Sequence, residues 1–204
     1  MTETALWLLR HPEPEASARG RCYGSLDIAL SPEGIRQAHA VAGALAETAL
    51  TAIYSSPLRR CQLAAEILAG GRACAVETVT TLREMDFGEF EGRTYEEIAA
   101  KYPDVYRQWM NHPTETSFPN GESFRSMSGR VIAAIRELRS RNSGRSIALV
   151  THSGVIRIIL ADALGMDAAN IFRIGQRYGA INLVRYFEDS PIVELVNADP
   201  GTIA

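Results

Sequence analysis

Short apolar runs alternate along the chain with longer stretches whose apolar residues recur at helical spacing. Leu6-Trp7-Leu8-Leu9 is an apolar run closed by Arg10-His11-Pro12, the pattern of a buried strand that proline forbids from continuing. Ser31-Pro32-Glu33 reads as a helix start, with a hydroxyl cap, a proline in the first turn and an acid beside it. Ile35, Ala38, Ala42, Leu45 and Ala49 follow as its expected core face. Residues 51–55 predict a second strand, and Ser56-Pro57 repeats the cap signal for a helix with Leu63, Ala64, Ile67 and Leu68 inward. Residues 74–79 are β-prone, and residues 94–111 read as two short helices broken at Pro103. Ser123 caps a long helix carrying Phe124, Met127, Val131, Ile135 and Leu138 on one face. Residues 146–150 form a fourth apolar run, ending at Thr151-His152-Ser153-Gly154, before a helix to about Leu164 and a short one near Asn170. Residues 180–187 and 192–196 close the chain as two strands joined at Asp189-Ser190-Pro191. This alternation predicts an α/β fold, a three-layer α/β/α sandwich around a mixed, mostly parallel six-stranded sheet, with residues 1–204 as a single domain. The last pair requires an antiparallel strand.

Composition narrows the function classes. With 21 Lys+Arg against 24 Asp+Glu, the net charge of -3 gives no basic surface for nucleic acid and no polybasic membrane patch. No apolar run reaches the roughly 18 residues of a membrane span, and no signal-like leader opens the chain. Three cysteines without metal-type spacing read as free thiols of a reducing compartment. The expectation is a cytoplasmic protein without membrane or nucleic-acid partners.

The candidate chemistry collects at strand ends. Arg10-His11 follows the first strand, Ser56 and then Arg59-Arg60 the second, Glu84 the third, and His152 the fourth. In a parallel sheet these share one edge, where open α/β folds place ligands. Two histidines, at least two arginines and nearby helix N-termini make an anion site, most plausibly for phosphate. A metal site fits poorly, because adjacent arginines repel a dication and no three-ligand spacing appears. A serine-hydrolase elbow also fails, since Thr151 and Val155 stand where glycines are needed around Ser153. His39 and His112 are read as surface residues, Ser56 as a helix cap, Trp109 and Phe124 as core, and Asp86 and Glu91 as solvated or paired with local arginines. Arg21 and Tyr23 either pack their loop or face a ligand.

These residues fall into ordered blocks that resemble the histidine phosphatase (phosphoglycerate mutase-like) superfamily. The blocks are Leu9-Arg10-His11 with Glu13, the segment from Gly20 to Ala38, Ser56-Pro57-Leu58-Arg59-Arg60, Leu82-Arg83-Glu84 with Gly88 and Glu91-Gly92, Gly121-Glu122-Ser123, and Val150 to Gly154. The resemblance implies His11 as the phosphorylated nucleophile, His152 as its partner, Arg10 and Arg60 as phosphate ligands and Glu84 as proton donor. It implies Ser17, Arg21 and Tyr23 as substrate-binding residues and a small phosphate ester as the substrate, with no cofactor and no metal; a homodimer is left open. The chain departs from the common pattern at Pro12, Ser17, Leu63, Phe90 and Ser153. Its short length between Glu84 and Gly121 looks most like the α-ribazole phosphatases, whose substrate carries a flat aromatic base that Tyr23 would stack against. A phosphoglycerate mutase, a protein phosphatase and a non-catalytic phospholigand binder are the alternatives.

Overall fold

Residues 3–188 and 190–203 are described by the structure, a computed structural model. Six strands form one sheet: β1 (Thr4–Arg10), β2 (Ala52–Ser55), β3 (Val76–Thr78), β4 (Ser146–Thr151), β5 (Ile181–Tyr186) and β6 (Pro191–Ala198). Their order is β3-β2-β4-β1-β5-β6. The first four run parallel, with Leu6 opposite Ile147 and Ile53 opposite Ala148, and β5 pairs antiparallel to β1. The helices are α1 (Pro32–Ala44), α2 (Arg59–Ala69), α3 (Tyr95–Lys101), α4 (Pro103–Asn111), α5 (Phe124–Arg141) and α6 (Ser153–Leu164). No described helix is long and apolar enough to cross a membrane.

Period-two alternation along the central strands builds two cores. Leu6, Leu8, Ile147 and Leu149 pack with Met127, Val131, Ile135 and Leu138 of α5 and with Val155, Ile156 and Ile159 of α6. Leu9, Ile53, Ala148 and Val150 pack on the other face with Ala38 and Val41 of α1 and with Cys61, Ala64 and Leu68 of α2. The three layers are thus the expected ones. The two helix faces differ from expectation in rotation. In α1 the buried stripe runs Gly34, Ala38 and Val41, then Leu45, while Ile35 is 38% exposed and Ala49 lies beyond the helix, exposed. Gly34 faces inward at a point where a Cβ would strike the Glu13 carbonyl, so only glycine fits there. In α2 Arg60 and Cys61 point inward and Leu63 is 36% exposed. The third strand is a short, largely exposed sheet edge rather than a buried one. Of the turn joining the last two strands, Asp189 lies outside the described residues.

Candidate active site

The ends of β1, β2 and β4 converge because backbone bonds carry the sheet one residue further. His11 N–H donates to Thr151 O at 2.8 Å, and Ser56 N–H to Val150 O at 3.0 Å. His11, Ser56, Arg60 and His152 are all buried. His11 Nδ1 lies 2.8 Å from Pro12 O. A carbonyl only accepts, so Nδ1 carries the proton and Nε2 keeps its lone pair. Burial first, then the charges of Arg60 and Arg10, hold His11 well below the ordinary imidazole value, so the ring is neutral. The same causes, burial ahead of Arg60, hold His152 low. An Arg60 Nη2 hydrogen points at His152 Nδ1 at 3.3 Å, which makes Nε2 the protonated nitrogen; it donates to Ser56 Oγ at 2.7 Å. Burial pushes the Cys61 thiol beside His152 up to about 12, which removes it as a competing nucleophile.

Arg60 is fully buried and donates to Leu26 O and Gly24 O, both at 2.7 Å. Arg10 donates to Gln176 O and stacks on Tyr178, 4.2 Å from the ring centroid. The Nε atoms of Arg10 and Arg60 are nevertheless buried with no acceptor among the described residues. Orphaned cationic donors are costly in a folded interior. Two of them lie beside two neutral histidines, an arrangement whose charge suits an anion.

Glu84 enters from the turn after β3. Thr151 Oγ1 donates to Leu82 O at 2.9 Å, tying that turn to β4. Glu84 Oε2 accepts the Gly154 N–H at the start of α6, and Oε1 accepts the Met85 N–H, each at 3.0 Å. Gly154 leaves room for this: a Cβ would overlap Glu84 Oε1. Glu122 and Arg130 brace the same turn. Arg130 pairs bidentately with Glu122 at 2.6 and 2.8 Å and donates to the carbonyls of Thr81, Arg83 and Glu84. Burial opposes the Glu122 charge, but the Arg130 bonds outweigh it and hold the carboxyl below its usual range.

A scan against family models matches residues 6–199 to the histidine phosphatase superfamily (branch 1). The chain belongs to that superfamily. Phosphoserine phosphatase 1 of Hydrogenobacter thermophilus is 32% identical over 192 residues, covering 94% of this chain and 91% of the relative. The adenosylcobalamin/alpha-ribazole phosphatase of Escherichia coli K12 is 30% identical over 185 residues, 89% of this chain and 91% of the relative. Among solved structures, Bacillus stearothermophilus YhfR superposes with a TM-score of 0.91 at 26% identity, covering 98% of this chain and all of that one. The protein is a histidine-dependent phosphatase.

The structure of this histidine phosphatase brings His11, Arg10, Arg60, His152 and Glu84 together and treats the other expected residues differently. Ser17 is exposed in a short 3-10 turn, Ala16–Ala18. Arg21 is exposed and donates to Gly92 O at 2.7 Å. Tyr23 is half-buried; its hydroxyl meets that of Tyr178 at 2.6 Å, and Arg60 sits 5.4 Å from its ring centroid. Ser56 is no helix cap: α2 starts at Arg59, whose N–H is taken by Asp27 Oδ1 at 2.7 Å. Glu91 is not solvated or paired with arginine; it accepts the N–H groups of Gly24, Ser25 and Phe87 and so shapes the loop over Arg60. Asp86 caps the Gly88 N–H at 2.9 Å. His39 and His112 are exposed as expected.

Tyr178, against His11 at 5.7 Å between centroids, escaped the sequence reading. Its signal was topological. It precedes β5, which is antiparallel to β1, so the start of β5 lies at the end of β1. Two hollows bear on the chemistry or its surroundings, and a third does not. A cleft of about 120 Å³ is lined by Glu84 together with aromatic side chains and Arg157. A second, of about 310 Å³, is lined by Glu13, Arg19, Arg21, Tyr23, Tyr95 and Tyr178, and Glu84 is not part of its wall. The third, about 650 Å³, lies by Trp7, Arg145 and Arg185, away from the histidines.

Proposed function

We propose that this phosphatase hydrolyses small phosphomonoesters through a phosphohistidine on His11. The observation that carries the reading is a neutral His11 with a free Nε2 lone pair beside two arginines whose buried Nε donors have no acceptor among the described residues. Nε2 attacks phosphorus in line, and the bond to the ester oxygen breaks. Glu84 gives its proton to that leaving oxygen. Arg10 and Arg60 balance the charge on the non-bridging oxygens. Neutral His152 has one N–H, held by Ser56 Oγ in the free enzyme, so it bonds a phosphoryl oxygen only by exchanging that partner for the substrate. Glu84, now ionised, takes a proton from water as the water attacks the phosphohistidine, and phosphate leaves.

The names of the relatives span an amino-acid ester and a nucleotide-like ester, so they support the reaction class and leave the alcohol open. The sequence favours α-ribazole 5′-phosphate, and aromatic side chains beside Glu84 support a flat leaving group. The decisive experiment traps label from a ³²P-phosphomonoester. An acid-labile phosphoenzyme in the wild type and none in His11→Ala is expected; full turnover in His11→Ala refutes the mechanism. On substrate, kcat/KM for α-ribazole 5′-phosphate should exceed that for 3-phosphoglycerate by at least about tenfold, or roughly 1.4 kcal/mol. Isomerisation of 3-phosphoglycerate in place of phosphate release would make the protein a mutase.

A further inference from the structure

We propose that the cleft beside Glu84 is the leaving-group subsite, and that it selects esters whose alcohol carries both an aromatic body and an acidic group. The inference rests on Glu84 acting as the proton donor. A general acid must stand within hydrogen-bond reach of the oxygen it protonates. The first atoms of the alcohol therefore lie at Glu84, and the space that Glu84 lines is this cleft.

Its walls come from five separate segments, at Phe87, Trp109, Phe118, Phe124 and Phe172. Three of them brace one another, Phe87 against Phe118 at 4.9 Å, Phe87 against Trp109 at 5.4 Å and Trp109 against Phe118 at 5.3 Å between centroids. Such edge and tilted contacts fix the rings, so the cleft exists before the ligand arrives. Phe172 sits at its rim with 51% of its surface exposed, an exposure that a bound ring would reduce. Trp109 and Phe124, read from the sequence as core, thus have one side toward the core and one toward the cleft.

Arg157 supplies the second half of the selectivity. It lines the same cleft and lies 5.5 Å from the Phe172 ring centroid. Its Nε donates to Ile174 O at 2.9 Å, which aims the guanidinium. Its surface is partly buried, yet among the described residues no carboxylate comes within 4.0 Å of it. A guanidinium stays charged in a protein, and a partly desolvated one with no carboxylate in direct contact, Glu84 acting on it only from a distance, favours an anionic ligand. Tyr23 is a poorer platform for the ring, because its hydroxyl is held by Tyr178 and its hollow does not include Glu84. The cleft accordingly ranks α-ribazole 5′-phosphate, which has the flat base but no acid, below an aromatic ester that has both.

The test compares kcat/KM for ethyl, benzyl and 4-carboxybenzyl phosphate, alcohols that all need a proton to leave. Benzyl should exceed ethyl by about tenfold or more, and carboxybenzyl should exceed benzyl by about tenfold. Phe172→Ala, at a largely exposed position that does not endanger the fold, should lower the benzyl-to-ethyl ratio several-fold. Arg157→Gln should erase the carboxybenzyl advantage and retain the benzyl one. Equal efficiency on the three esters, with p-nitrophenyl phosphate still forming a phosphohistidine, overturns the subsite and leaves the phosphatase mechanism standing. Loss of the aromatic preference in Tyr23→Ala rather than Phe172→Ala moves the alcohol to the other hollow and also overturns it. No phosphoenzyme with any ester overturns the mechanism and the subsite together.

Discussion

Gly154→Ala adds one methyl group at the point where Glu84 is held. The new Cβ falls inside van der Waals contact of Glu84 Oε1 and lies 3.1 Å from Met127 Cε and 3.2 Å from Glu84 Cδ. Ordinary contacts between such atoms are nearer ~3.5 Å, so the carboxyl must retreat by on the order of 1 Å. That shift also strains the 3.0 Å bond from the Gly154 N–H to Oε2. Misplacing a catalytic group by ~1 Å costs about a hundredfold, which lies within the 10²–10⁴ that a general acid supplies. In barrier height this is about 2.7 kcal/mol. The backbone does not object: Gly154 is absent from the glycines with positive φ and sits in the first turn of α6. Alanine is up to ~1 kcal/mol better than glycine inside a helix, so thermal stability should hold. The assay is single-turnover phosphorylation with benzyl phosphate beside p-nitrophenyl phosphate. Nitrophenolate leaves without a proton, so its rate should fall far less than that of the benzyl ester. Benzyl phosphate turning over within threefold of wild type, in a variant of unchanged melting temperature, refutes the placement of Glu84 as proton donor.

Two further outcomes follow from buried charge. Arg130→Met leaves Glu122 ionised and unpaired with a side chain only 8% exposed, so urea denaturation should show a loss of about 3 kcal/mol or more; a loss under ~1 kcal/mol means the pair does not brace the Glu84 turn. Both His11 and His152 are held neutral well below 6.5 in the folded protein, so as pH falls through 6.5 the unfolded chain takes up protons that the folded one refuses. Stability should therefore drop as pH falls from 7 toward 5, and His11→Ala should drop less steeply than wild type in urea titrations at each pH; parallel slopes refute the depressed value for His11.

The convergence of Arg10, His11, Arg60 and His152 is legible in the sequence because each sits at a strand end or within one helical turn of it. Arg10 and His11 close β1, His152 follows β4, and Arg60 lies at the start of α2. A strand's direction and its proline stop are local signals, and a parallel sheet then gathers the ends. What failed to show were groups whose role depends on a partner far along the chain. Ser56 carries a cap signal, yet its hydroxyl is taken by His152, 96 residues away. Glu91 reads as a surface acid because nothing local shows that the N–H groups of Gly24 and Ser25 will turn toward it. On α1 the expected Ala38 and Leu45 are buried, but Gly34 and Val41 replace Ile35 and Ala42 on the inward face, with Gly34 against Glu13. Apolar periodicity alone does not resolve such a shift when small residues occupy the buried stripe.

The same distinction separates chemistry from selectivity in this enzyme. The groups proposed to meet the phosphoryl unit stand on or next to β1, β2 and β4, whose backbones are locked in register by the sheet. A change in these strands would move several reactive groups at once. The aromatic side chains around Glu84 come instead from the turn at Phe87, from α4, from the loop at Phe118, from the start of α5 and from the 3-10 turn Ala168–Arg173. None of those segments is a strand of the sheet, so each can change length or side chain without shifting His11 or Arg10. Aromatic residues in such segments also look like core from sequence, and Trp109 and Phe118 do contact the core. Their second face becomes visible only when the fold brings them around one carboxyl group. On the proposal above, the family's shared blocks carry the reaction, while the alcohol meets residues that lie mostly outside them, Phe87 being the exception.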